Sequence, residues 1–200
     1  MEVSHPLLAV LVDAAAGVFP PADGRAVFLP QLDDGRAAVV SLTGRVYVAS
    51  GRTLPGLDAF GSALQPSTLS ALAGPSGEVD TLDVTLAAHG LGGGALPARS
   101  DLDDHPRVRL ARTLRRDVRV HGDERGLVTI ARGLAGRTEL SVELTGTGER
   151  GVGRELIRDG LRLVPAGEPV FAAVAPGNAR SLRACLAAGF APIGSEVLIG

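Results

Sequence analysis

The sequence predicts a mixed α/β protein of the α+β class, and two stretches carry that expectation. Near the start, Leu7, Leu8, Leu11, Val12, Ala15 and Ala16 recur at helical spacing, and Pro20-Pro21 ends the pattern. Short β-compatible runs follow at Ala26–Leu29, Ala37–Leu42 and residues 46–49, separated by Asp33-Asp34-Gly35 and Thr43-Gly44 turn signals. Further on, Thr138–Leu144 alternates Leu140, Val142 and Leu144 with Glu139, Ser141 and Glu143. That strand runs into a glycine-rich segment, a helical stripe and an all-apolar run at 169–175.

Between these stretches the elements are shorter. Pro66-Ser67 opens a helix through Ala73, with Ser67 as its expected N-cap. Residues 79–86 alternate as a strand, and Gly90–Gly94 with Pro97–Ser100 mark the expected boundary. This places an N-terminal α/β region at 1–88, without a chemical signature, and a second domain at 89–200. In the second domain Asp101-Leu102-Asp103-Asp104 precedes Pro106 and a helix ending near Arg115-Arg116, an order that complements the helix dipole. No second cluster of ligands accompanies these acids, so no metal site is expected. The six arginines from Arg107 to Arg119 read as a solvated helix face leading into a hairpin at 118–121 and 127–132.

Bulk properties bound the function. All twenty basic residues are arginine, the net charge is −2 and aromatics make up 3%. A nucleic-acid surface would need a wider basic excess with interleaved aromatics, so no nucleic acid is expected. The one cysteine, Cys185, excludes an internal disulfide or a cysteine metal cluster. The apolar run from Leu7 to Val18 is short, broken by Asp13 and not preceded by a basic residue. It fits neither a signal peptide nor a membrane span, and a cytoplasmic protein is expected.

The chemistry concentrates in Gly146-Thr147-Gly148-Glu149-Arg150-Gly151-Val152-Gly153, where four glycines fall within eight residues between the strand and a helix at 154–164. In that helix Leu156, Ile157, Leu161 and Val164 continue an apolar stripe begun by Val152. Glycines let backbone N–H groups approach a phosphate, and the helix N-terminus adds positive potential. Gly146-x-Gly148-x-x-Gly151 also meets the dinucleotide fingerprint, which needs a ribose-binding acid at the end of the next strand. That strand ends in Pro176-Gly177-Asn178, and Glu168 stands at its beginning. NAD is therefore not expected.

Arg150-Gly151-Val152-Gly153-Arg154 instead resembles the pyrophosphate loop of the GNAT superfamily of N-acetyltransferases, Arg/Gln-x-x-Gly-x-Gly/Ala. After the apolar strand, Asn178 to Phe190 is similar to the second segment of that family, an Asn-capped helix ending in Gly-Phe. Asn178 suits the cap, Gly189 the left-handed C′ position, and Phe190 a fold back onto the last turn. The resemblance runs from Leu127 to Val197 and does not reach the first half. Gly148 stands where the family usually has Arg or Gln. Cys185 stands where it has the tyrosine that protonates the departing thiolate.

The resemblance implies a central mixed sheet flanked by helices and acetyl-CoA as co-substrate. Backbone at Val142 and Leu144 would pair with the pantetheine arm. Gly148, Arg150, Gly151, Val152, Gly153 and Arg154 would hold the pyrophosphate, and Asn178 would touch the cofactor near the second helix. Glu139 is the expected general base, with Glu143 as its alternative, and Cys185 is either a proton donor or a small buried hydrophobe. The acceptor is an amine-bearing small molecule or a peptide. Residues 1–88 would form an acceptor pocket, a degenerate copy of the fold or a homodimer surface. The alternative function is acyl-CoA binding without turnover.

Overall fold

A computed structural model describes residues 4–58, 61–146 and 151–200. They form an α+β fold with five α-helices and nine strands, paired both parallel and antiparallel. The chain divides into two compact units. One holds the described residues up to Thr85 together with Pro192–Gly200, and the other spans Leu86–Ala191.

The first unit opens with α1 (Pro6–Ala15), buried through Leu7, Leu11 and Ala14. His5 caps it: Nδ1 accepts the Leu7 N–H at 3.2 Å, and the other ring nitrogen lies 2.9 Å from the Pro30 carbonyl. Strands β1 (Ala26–Leu29), β2 (Ala37–Leu42) and β3 (Arg45–Ala49) follow, then α2 (Pro66–Ala73); β4 (Asp83–His89) starts in this unit, and its residues from Leu86 on belong to the second. β2 and β3 form a hairpin, β1 joins β3 in parallel, and β9 (Ala191–Ile199) joins β2 antiparallel with Val39 opposite Val197. Val39, Val48, Leu72, Val197 and Ile199 share one core, so these last residues belong with the first unit rather than with the preceding helix. With few aromatics available, Val, Leu and Ala fill it, as the composition requires.

Two local expectations are corrected here. Gln65, not Ser67, is the N-cap residue of α2, because Pro66 takes the first helical position and Ser67 already lies in the first turn. The strand expected at 79–86 starts at Asp83 and runs to His89, while Val79 makes only an isolated bridge to Ile199. Thr85 to Ala88 are buried without interruption, and a strand covered on both faces does not alternate.

In the second unit the strand order is β4-β8-β7-β6-β5. Its elements are α3 (Pro106–Leu114), β5 (Arg116–Asp123), β6 (Gly126–Arg132), β7 (Thr138–Leu144), α4 (Val152–Arg162), β8 (Pro169–Val174) and α5 (Ala179–Ala188). β5, β6 and β7 form an antiparallel meander, with Leu127 opposite Glu143 and Ile130 opposite Leu140. Here too a histidine-proline pair starts the helix: His105 Nδ1 accepts the Arg107 N–H at 3.2 Å. The acids before α3 do not occupy its first turn as expected. Asp101 pairs with Arg99 and Asp103 with Arg112, so their charge is met by arginine rather than by the helix dipole.

The two helical layers of this unit take opposite faces of β6 and β7. Val108 of α3 packs with Val120 and Leu127, on the face that also carries Glu143. On the other face, a β-carbon at Gly160 of α4 would press against Leu140 and Val128, so glycine lets helix and sheet approach closely. Gly153 lies near Leu144 and Ala184, which puts α5 on this second face as well.

Candidate functional site

A cleft of about 1050 Å³ opens in the second unit at the C-terminal end of β7. β7 and β8 are parallel with Glu139 opposite Phe171, and among the described residues no pairing between them continues toward Leu144. Val142, Glu143 and Leu144 line the cleft instead. Gly151, Gly153 and Arg154 supply one wall, and Asn178, Ala184 and Cys185 another. Arg107 of α3 also reaches it. Since Arg107 and Glu143 belong to one face of the sheet and α4 and α5 to the other, the cleft opens on both faces.

Local geometry explains the helix start. α4 begins at Val152, two residues earlier than expected, because Gly151 adopts a left-handed conformation (φ 99°) as its N-cap. A side chain at that φ is strained by roughly 1–3 kcal/mol, so glycine is required. At Gly153 a β-carbon would meet Leu144 and Ala184 at 3.5 and 3.7 Å, ordinary contact distances. The Asn178 side chain accepts the Ser181 N–H at 3.1 Å, which starts α5, and Gly189 (φ 109°) ends it. Phe190 is buried at 3% exposure behind that turn.

Val142, Leu144, Gly151, Gly153, Arg154, Asn178 and Cys185 thus share one cleft. Val152 is half-buried in the first turn of α4 and does not line it. Gly148 and Arg150 lie outside the described residues.

Glu139 is corrected. Expected as the general base, it is buried, and its carboxylate is shared by Arg137 (2.8 Å), Arg115 and the Leu134 N–H (3.1 Å). A β-carbon at Gly133 would collide with the same carboxylate, so the backbone closes over it. Arg137, itself fully buried, stacks over Phe171 with its guanidinium carbon 5.3 Å from the ring centre. Burial by itself would raise the Glu139 carboxyl, but the charges of Arg137 and Arg115 and the two sets of hydrogen bonds outweigh it and hold it at about 2. A base so acidic and so enclosed does not accept a proton from substrate at neutral pH.

Cys185 sits in the cleft wall at 6% exposure, and burial pushes its thiol up to about 11. It is neutral at pH 7. Proton transfer from such a thiol to an ordinary thiolate, whose conjugate acid has a pKa near ~8.5, runs uphill.

Arg107, Arg180 and Arg183 line the cleft without having been expected there. Arg107 was expected on a solvated face but is half-buried at the cleft, and Arg115 of the same series is spent on Glu139. Arg180 and Arg183 stand three apart in the first turns of α5 and both line the cleft, a spacing visible in the sequence. Among the described residues no group of three or more His, Cys, Asp or Glu could hold a metal ion. Nor is any helix among them long and apolar enough to cross a membrane. No protein-family model matches the chain, and no curated protein matches it.

Proposed function

We propose that the second unit binds an acyl-coenzyme A in this cleft and transfers the acyl group, acetyl in the simplest case, to an amine. The observation that carries the reading is the β7 segment Val142–Leu144. Among the described residues it carries no pairing with β8 where a glycine-started helix converges with Arg154, Arg180 and Arg183. An extended pantetheine arm is suited to such an edge, as an added strand is. The α4 N-terminus, with Arg154, and the start of α5, with Arg180 and Arg183, are suited to its phosphates. The resemblance of residues 127–197 to GNAT acetyltransferases points to the same ligand.

Within this reading the amine attacks the thioester carbon, and a β7 amide polarises the carbonyl. Among the described residues Glu143 is the carboxylate that lines the cleft, so it replaces Glu139 as the base, acting directly or through water. Cys185 serves as wall. Binding without turnover is the second reading, favoured by the removal of Glu139 and by the neutral thiol at Cys185.

Coenzyme A at a hundredfold excess over its Kd should stabilise the protein by about 2.7 kcal/mol. That is a Tm rise of roughly 5–10 °C in a chain of this length. NAD should produce no comparable rise, and a larger shift with NAD would return the site to a dinucleotide. The loop gives a sharper check. Gly151→Val should weaken coenzyme A roughly tenfold or more, since relieving its strained φ moves the amides that face the phosphate. Gly153→Ala should bind nearly as well as wild type, because its β-carbon finds room. Calorimetric titration of both variants decides; equal affinities would put the phosphate site elsewhere.

A further inference from the structure

We infer that the acceptor in this cleft is an amine that also carries a carboxylate, an α-amino acid in its simplest form, with Arg107 holding the carboxylate and Glu143 the ammonium. The inference rests on the acyl-CoA reading of the same site and adds the acceptor class. Its basis is how charge is divided between the two faces of the sheet.

Arg154, Arg180 and Arg183 come from α4 and α5, on the face of the phosphate loop. Arg107 comes from α3, on the opposite face, together with Glu143. Among the described residues no carboxylate lies within ion-pair distance of Arg107, and no cation lies within ion-pair distance of Glu143. Their side chains nevertheless open on one cleft. Behind them, Arg115 and Arg137 both contact the Glu139 carboxylate, so that acid is already engaged.

A half-buried guanidinium without a partner is unfavourable, and a bidentate carboxylate is its best complement. Burial lowers the Arg107 guanidinium, Arg115 adds to this, and Glu143 opposes it, so the two cleft groups already sense each other. An amine lacking a carboxylate would satisfy Glu143 and leave Arg107 unpaired. A zwitterion satisfies both.

The chemistry balances. The ammonium gives one proton to solvent through Glu143, and the freed nitrogen pair attacks the thioester carbon. C–N forms as C–S breaks, the second N–H proton passes to the departing thiolate, and an N-acyl amino acid and free coenzyme A leave.

The test measures thiol release from acetyl-CoA by the full chain with each of the twenty amino acids, its methyl ester and its decarboxylated amine. At least one free amino acid should turn over, with its ester and amine lower in kcat/KM by about 100-fold or more, as for a site whose charged group is left unpaired. Arg107→Gln should raise KM for that acid about 100-fold and erase the gap to the ester. The Kd for coenzyme A should stay within about twofold of wild type, and Arg107→Lys, which keeps the charge without the fork, should fall between. Esters or amines turned over as well as acids would overturn the inference. So would an Arg107→Gln variant that loses coenzyme A affinity instead of acceptor affinity. Coenzyme A bound with no amino acid turned over rejects this inference alone, whereas no coenzyme A binding rejects the acyl-CoA reading and this inference with it.

Discussion

Replacing Glu139 by glutamine is expected to destabilise the protein by about 3–5 kcal/mol, the usual cost of breaking a buried ion pair. Arg137 is fully buried and would lose the carboxylate charge that it meets at 2.8 Å. In a chain of this length that is a Tm loss of roughly 6–20 °C. The pH dependence fixes the cause. The folded carboxyl is held at about 2, below its ordinary value of about 4.3. Its contribution is therefore complete above roughly pH 5 and is lost as pH falls toward 2. Wild type should lose Tm steeply across that acid window, while Glu139→Gln starts lower at pH 7 and falls less. A glutamine variant as stable as wild type at pH 7 would mean that the Arg115–Glu139–Arg137 cluster holds nothing together.

The second large effect concerns Glu143. Glu143→Gln should lower kcat by about 10²–10⁴-fold at neutral pH, the range for removing a general base. Coenzyme A affinity and Tm should stay near wild type, since this side chain is exposed and makes no ion pair among the described residues. Rapid-mix assays at saturating amine, beside a melting curve, separate this from a folding defect. Unchanged turnover would hand the proton to a water chain. Turnover absent from the wild-type chain with coenzyme A bound would leave the binding-only reading.

Together the two variants separate residues that are indistinguishable in the sequence. Glu139 and Glu143 sit four apart on one face of β7, both alternating with apolar neighbours. Their fates differ because Arg115, 24 residues away in the chain, and Arg137 close over the first. Nothing in β7 announces that. The acids near α3 went the same way, their partners being particular arginines rather than a helix end.

Local chemistry explains what could be read from the chain alone. Proline at a first helical turn, glycine at a left-handed position and Asn178 at a cap act within a few residues, so α1, α2, α4 and α5 are legible to within about two residues at their starts. The same locality marks Gly151 to Arg154 as a glycine-started helix N-terminus before any contact is known. Which carboxylate is locked away depends on long-range packing. So does the arrival of Arg107, some 35 residues before Val142, in the same cleft. The reach of that cleft through the sheet follows from where β7 stops pairing with β8, a property of two strands that neither strand encodes by itself.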